Sequence, residues 1–337
     1  MQVMTSAERR TIVLPKLAVP MQAMVLPRGE GTITFANISG REAVFNSELV
    51  ETFISVLPKK LQKIAVGLFL EGKARRADQK ESELSRPEVE LLDYLSSVSD
   101  ITRIIREAPS SAKAFEYLYQ QRPAESIIDQ YYVDCLAGSH VNMRMLAIWD
   151  NLPELIIDLY KKFGEKILID NIGSGPGLEL IGVLQRHHEL ADKVHVRNID
   201  PDPVIIDEGK KKVEALGLRD SFEFVPKKAH EAGIRGAHLV ILVGILCTQP
   251  PKNCVKTLSG VQFFGRSGGY IVYSTNQESM VIADPFTDMI MRLAGWFMDY
   301  KTDRQSWDLG VQAGWEPVSQ FFEHDLHFQC MTVARMK

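Results

Sequence analysis

The sequence predicts an α/β protein: a mostly parallel sheet of seven strands ending in an antiparallel hairpin, preceded by a mainly helical N-terminal domain. Three observations carry that expectation. After Gly164, strand-like apolar runs alternate with helix-like stretches, the pattern of a parallel sheet covered on both faces. The run "HLVILV" is apolar at nearly every position, as a strand buried on both sides requires. The C-terminal "EPVSQFFEHDLHFQCMTVARMK" holds two strand-like runs around a polar turn at His324-Asp325. No crossover helix fits between them, so the two must pair antiparallel.

In chain order, roughly the first 45 residues are weakly patterned and punctuated by Pro15, Pro20 and Pro27, and "TITFANISGREAVF" suggests a short hairpin turning at Ser39-Gly40. From about Ser47 to Lys162 the spacing is helical, with Leu49, Phe53, Val56 and Leu57 on one face and Val89, Leu92, Tyr94 and Leu95 on another. The charged stretch "GKARRADQKESELSRPE" (72–88) is expected to be a solvated linker. Residues 124–164 read as two helices separated near Ala137-Gly138. The strands then follow as "KILIDNI", "KVHVRNI", "SFEFV", "AHLVILV" and "GGYIVYS", with helices near 178–190, 203–216 and 252–264. The expected domains are 1–122, mainly helical, and 123–337, with a core starting at about 160.

A chain of 337 residues with 45% hydrophobic and 24% charged residues is long enough for two such domains. Its net charge of −4 gives no general attraction to nucleic acid or to an anionic membrane, so neither is an expected partner. The longest apolar run, Leu239 to Cys247, is far short of the roughly 18 residues a spanning helix needs. Cys135, Cys247, Cys254 and Cys330 are scattered, which suits neither a zinc site nor a disulfide framework, and a cytoplasmic setting is the expectation.

The stretch "ILIDNIGSGPGLEL" concentrates the functional signal, because Gly173, Gly175 and Gly177 follow an apolar strand. A plain strand-to-helix turn would also use such glycines. A dinucleotide fingerprint would place Gly or Ala at position 178, where Leu178 stands, and a phosphate loop would need a following Lys-Ser or Lys-Thr. Asp200, 23 residues beyond Gly177 at the end of "KVHVRNID", is placed to accept both hydrogen bonds of a ribose diol. Asp200 or Asp202 would equally serve to cap the helix that begins at Pro203.

Taken together, "ILIDNIGSGPG", "VHVRNIDPDPVIIDEGKKKVEALGL", "FEFV", "AHLVILVGIL", "FGRSGGYIVYS" and the terminal hairpin resemble, in order, the Rossmann-like core of class I S-adenosylmethionine-dependent methyltransferases over about residues 160–337. The resemblance implies S-adenosyl-L-methionine as cofactor. It implies cofactor contacts from Asn171, Gly173, Ser174, Gly175 and Gly177, a ribose contact from Asp200 with Pro201, adenine contacts around Pro226, Lys227, Lys228 and Ala229, and methionyl contacts from Gly244 and Ile245. Two positions depart from the family. An acid often precedes the first glycine by two residues; here Asn171 holds that place and Asp170 lies one earlier, so either could meet the methionyl amino group. Lys227-Lys228 replaces the acid often found after the third strand.

Methyl transfer from a sulfonium needs alignment more than acid–base machinery, so no triad or metal constellation is required, and none is visible. The implied acceptor is a small molecule. Candidates near it are Tyr131, Tyr132, His140 and Arg144 before the first strand, and Asn276, Asp284, Trp296 and Tyr300 in the long segment after the fifth; Tyr131, His140 and Asn276 are the catalytic candidates. Helical spacing of Met289, Leu293 and Trp296 would equally suit a core. The N-terminal domain would cover the substrate or form a homodimer. Aminocarboxypropyl transfer of the nicotianamine-synthase kind, a nicotinamide-dependent oxidoreductase and a non-catalytic binding protein are the other readings, and Leu178 and the terminal hairpin oppose the nicotinamide one.

Overall fold

The computed structural model describes residues 32–36, 42–109, 112–119, 123–323 and 327–336. The turns at Ser39-Gly40 and His324-Asp325 lie outside the described residues, as does most of the weakly patterned start of the chain. Two compact units emerge: Met1–Asn142 with Glu278–Met298, and Met143–Gln277 with Asp299–Lys337.

The first unit contains a small antiparallel pair, β1 (Thr32–Ala36) and β2 (Glu42–Asn46), and a set of helices. Helix Ser47–Ser55 buries Phe53, helix Lys59–Leu70 buries Leu61 and helix Arg86–Val98 buries Leu91, Leu92 and Leu95, with Leu57 buried between the first two; of the faces expected from spacing, Leu49, Val56, Val89 and Tyr94 are only half-buried. Residues 123–142 and 278–298 belong to this unit. The physical reason is aromatic: Phe286 sets its ring edge-on to Phe53, Phe69 and Tyr131. Asp129 adds a polar tie, accepting from Ser99 Oγ (2.7 Å), Ile101 N–H (2.9 Å) and Ser126 Oγ (2.8 Å). The stretch 72–88 is not wholly solvated, since Arg75 donates to Leu293 O at 3.3 Å. The separation between helices Ile127–Asp134 and Leu136–Phe163 falls at Cys135, whose extended backbone breaks the helix. Gly138 permits the join: a Cβ there would stand 1.9 Å from Tyr132 O.

The second unit holds a seven-stranded sheet. In chain order its strands are β3 (Ile167–Ile172), β4 (Val194–Ile199), β5 (Phe222–Val225), β6 (Ala237–Leu242), β7 (Gly265–Asn276), β8 (Trp315–Phe322) and β9 (Gln329–Met336). Their spatial order is β5-β4-β3-β6-β7-β9-β8. All pairs are parallel except β7–β9 and β8–β9. The last strand therefore enters antiparallel between β7 and β8, where a doubly wound dinucleotide sheet would continue parallel. Ile167, Ile169, Val194, Val196, Leu239 and Ile241 pack on one face against Ile148, Leu152 and Ile156 and helix Leu178–Arg186. Val240, Leu242, Ile271 and Tyr273 pack on the other against Leu258 and Leu309. Helices on both faces leave only the strand ends for a site. The order reverses between β3 and β6, which puts the ligand crevice at their carboxyl ends. Among the described residues no helix is long and apolar enough to cross a membrane.

Candidate functional site

The glycine turn leaves β3 at that reversal point. Gly173, Gly175 and Gly177 have φ of 63°, 52° and 81°, a left-handed backbone that side chains disfavour. The turn folds over the end of β4, where the N–H groups of Gly173 and Ser174 both donate to Ile199 O, at 2.8 and 3.3 Å. Room is also scarce. A Cβ at Gly173 would lie 2.4 Å from Ile245 Cδ1, and one at Gly177 would lie 2.1 Å from Asn198 Nδ2. The helix Leu178–Arg186 starts at Gly177 with no side-chain cap, so its first N–H groups depend on other partners.

Asp200 locks this turn. Its Oδ2 accepts from Gly175 N–H at 2.9 Å and its Oδ1 from Asp202 N–H at 3.0 Å. Helix Pro203–Ala215 is capped instead by Asp202, which accepts from Val204 N–H at 2.9 Å. The cap and the strand-end carboxylate are thus separate residues. Each Asp200 oxygen keeps a further lone pair.

Asp170 and Asn171 point to opposite faces of β3, because the pleat alternates successive side chains. Asp170 pairs with its cross-strand neighbour Arg197 through two contacts, Nε–Oδ1 at 2.6 Å and Nη2–Oδ2 at 2.9 Å. Burial pushes the Asp170 carboxyl up, opposed by the guanidinium. Asn171, on the other face, donates from Nδ2 to Asn198 Oδ1 at 3.0 Å. Asn198 is fully buried, and its own Nδ2 has no hydrogen-bond partner.

Beyond β6, Gly244 (φ 79°) donates its N–H to Ser274 Oγ at 2.9 Å, tying this end to β7. The following turn, Leu246–Thr248, is anchored by Lys301, whose buried ammonium donates to Gln249 O (2.9 Å), Asp299 O (3.0 Å) and Asp299 Oδ1 (2.9 Å). Arg144 is buried beside Gly244, with Nη2 3.9 Å from Glu179 Oε1.

The same edge of the sheet continues across β7, β9 and β8. Because β9 runs antiparallel, its first residue lies level with the last residue of β7, and Asn276 pairs with Gln329. Gln329 Nε2 donates to Asn276 Oδ1, while the buried Gln329 Oε1 has no partner. Glu323, just past β8, is fully buried and accepts from the N–H groups of Phe328 and Gln329, the latter at 2.8 Å. Burial pushes its carboxyl up to about 7, against those two donors and the Arg144 charge. A carboxyl raised above its ordinary 4.5 binds its proton more tightly folded than unfolded. Its stabilising contribution is therefore complete below pH 4.5 and is lost as pH rises through 7. We expect this group alone to remove about 3 kcal/mol of stability between pH 4.5 and 8, and urea unfolding of Glu323→Gln should show correspondingly weaker pH dependence. Equal slopes in the two proteins would contradict it.

Of the residues named from sequence, Asn171, Gly173, Ser174, Gly175, Gly177, Asp200, Pro201, Gly244 and Ile245 gather at the carboxyl ends of β3, β4 and β6. Lys228 and Ala229 follow β5, where the exposed Lys228 opens the short helix Ala229–Glu231. Tyr131 and His140 lie in the first unit, both buried, with Tyr131 Oη 2.6 Å from Thr287 Oγ1 and its phenol pushed well up by burial. Asp284 and Trp296 lie there too. Asp284 caps helix Pro285–Ala294, and Trp296 meets Phe115 edge-on beside the buried Met289 and Leu293, a core arrangement. Asn276 and Tyr300 lie in the second unit. Sequence reasoning missed Asn198, Glu323 and Gln329. Asn198 and Gln329 carried a faint signal, as polar residues inside the runs "VHVRNI" and "HFQCMTV"; Glu323, beside the expected turn at His324-Asp325, carried none.

A model of the family described as "Putative methyltransferase" matches residues 86–334. Among solved structures, a possible exported protein from Bordetella parapertussis aligns with a TM-score of 0.56 at 13% identity, over 86% of this chain and 96% of its own. Magnesium protoporphyrin IX methyltransferase from Synechocystis PCC 6803, with bound SAH, aligns with a TM-score of 0.51 at 13% identity, over 71% of this chain and 100% of its own. At such identities the likeness is one of fold. No curated protein matches the sequence.

Proposed function

The chain belongs to the family described as "Putative methyltransferase", and from that premise we propose that it transfers the methyl group of S-adenosylmethionine to a small-molecule acceptor by in-line displacement. The observation that carries this is the glycine turn locked to Asp200, at the carboxyl ends of β3 and β4. The residues present fit the cofactor: side chains are excluded at Gly173 and Gly177, and Asp200 offers remaining lone pairs at a strand end. Asp200 would receive the ribose diol, and Gly244 and Ile245 would border the methionyl end. The bound sulfonium supplies an already activated methyl group. What the protein adds is binding, orientation and exclusion of water.

Calorimetric titration with S-adenosylhomocysteine, methylthioadenosine and NAD in parallel tests this. S-adenosylhomocysteine should bind and NAD should not. Asp200→Ala should weaken S-adenosylhomocysteine by about 1–3 kcal/mol, through the lost charge-assisted bonds. Failure of S-adenosylhomocysteine to bind folded protein would overturn the assignment. An unchanged affinity in Asp200→Ala would restrict that carboxylate to bracing the turn.

A further inference from the structure

Resting on the methyltransferase assignment above, we propose that Glu323 and Gln329 form the acceptor seat, taking a nucleophile that presents an N–H or O–H, with Glu323 receiving its proton. Position supports this first. Gly244, beside which the methionyl end is assigned, bonds Ser274, and Asn276 lies two residues further along the same strand face, about 7 Å away. Asn276 in turn holds Gln329, whose backbone N–H is held by Glu323. Two hydrogen-bonded polar groups thus lie along the carboxyl edge of the sheet, Gly244 with Ser274 and Asn276 with Gln329 and Glu323.

Chemistry narrows the class. Gln329 Oε1 is a buried acceptor with no donor, which costs about 1–3 kcal/mol unless a ligand supplies one. The Glu323 carboxylate accepts from the N–H groups of Phe328 and Gln329 and is also held down by its own N–H, out of about four lone pairs. Both groups therefore ask for a hydrogen-bond donor. A carboxylate acceptor would bring a third array of acceptors and a like charge, so an amine or a hydroxyl suits the seat and a carboxylate does not. Arg144, from helix Leu136–Phe163, lowers the Glu323 carboxyl by its charge, and Glu323 in turn raises the Cys330 thiol on β9. A carboxyl near 7 also matches the task of a base at neutral pH.

The step balances. The acceptor heteroatom closes its lone pair on the methyl carbon as the carbon–sulfur pair stays with sulfur, and the heteroatom's proton passes to a Glu323 oxygen. A sulfonium, a carboxylate and a neutral acceptor become three neutral species, and Glu323 later returns the proton to water.

Binding tests this without knowing the acceptor. Sinefungin carries an ammonium where the donor carries its methyl sulfonium, so it presents N–H donors and positive charge toward the seat, whereas S-adenosylhomocysteine presents neither. Calorimetric affinities for both are to be measured from pH 5.5 to 8.5. Sinefungin should be preferred roughly tenfold at pH 8.5, about one partly buried charge pair, shrinking to about twofold at pH 5.5 as Glu323 protonates. Glu323→Gln should hold the preference near twofold at every pH, and Gln329→Leu should cut it about threefold. Both variants should bind S-adenosylhomocysteine within about twofold of the parent protein. A pH-independent preference in the parent protein, or one unchanged in Gln329→Leu, overturns the seat even if Glu323→Gln fails to fold. If neither nucleoside binds the folded parent protein, the methyltransferase assignment itself fails.

Discussion

Asp170→Asn should destabilise the protein by about 3–5 kcal/mol, because it leaves the Arg197 guanidinium buried without its counter-charge. The asparagine oxygen and Arg235 O, 3.2 Å from Nη2, remain as acceptors, but both are neutral and neither replaces the lost counter-charge. The converse change is gentler. In Arg197→Met the orphaned carboxyl, already pushed up by burial, can take a proton and become a neutral donor. Its cost should therefore shrink toward low pH, while that of Asp170→Asn stays nearly constant. Urea unfolding of both variants at pH 5 and pH 8 checks this, and equal costs at both pH values would show that solvent reaches the pair. Asp170→Asn should leave the affinity of the folded fraction for S-adenosylhomocysteine unchanged, since Asp170 and Asn171 point to opposite faces of β3.

Gly177→Ala should disable the glycine turn at a cost of about 2–5 kcal/mol. Roughly 1–2 kcal/mol comes from a side chain at φ 81° and the rest from displacing Asn198, whose amide stands where the Cβ must go. Because Asn198 is held by Asn171, the strain passes into the β3–β4 pair beneath the turn. We expect the affinity for S-adenosylhomocysteine to fall about 100-fold, with a loss of thermal stability that follows the same strain. The double variant Gly177→Ala/Asn198→Ala should recover much of the loss, as the shorter side chain vacates the space. No recovery would mean that the backbone conformation, and not the clash, is what the glycine supplies.

Strand β6 and the glycine turn were legible in the sequence for a local reason. A six-residue apolar run reports burial on both faces, and three glycines at alternate positions report a backbone that side chains would block. The terminal hairpin was legible because too few residues separate β8 from β9 for a crossover. Other features turned on a partner distant in sequence. Whether Asp170 or Asn171 serves the turn depends on Arg197, 27 residues away, and on the register that faces them. Whether Asp200 or Asp202 caps the next helix depends on where Gly175 stands. For residues 278–298 the helical spacing of Met, Phe and Trp suits a core or a pocket alike in sequence, and the contacts of the Phe286 ring with Phe53 and Tyr131 could not be read from it.

Periodicity and backbone permission are written residue by residue, so the α/β class, the seven strands and the glycine turn could be read from the chain alone. Pairing is a property of two segments at once. The insertion of β9 between β7 and β8 brings Gln329 beside Asn276 and Glu323 to the edge where the glycine turn ends. No local pattern encodes that meeting, because hydrogen bonds and desolvation act across space and not along sequence.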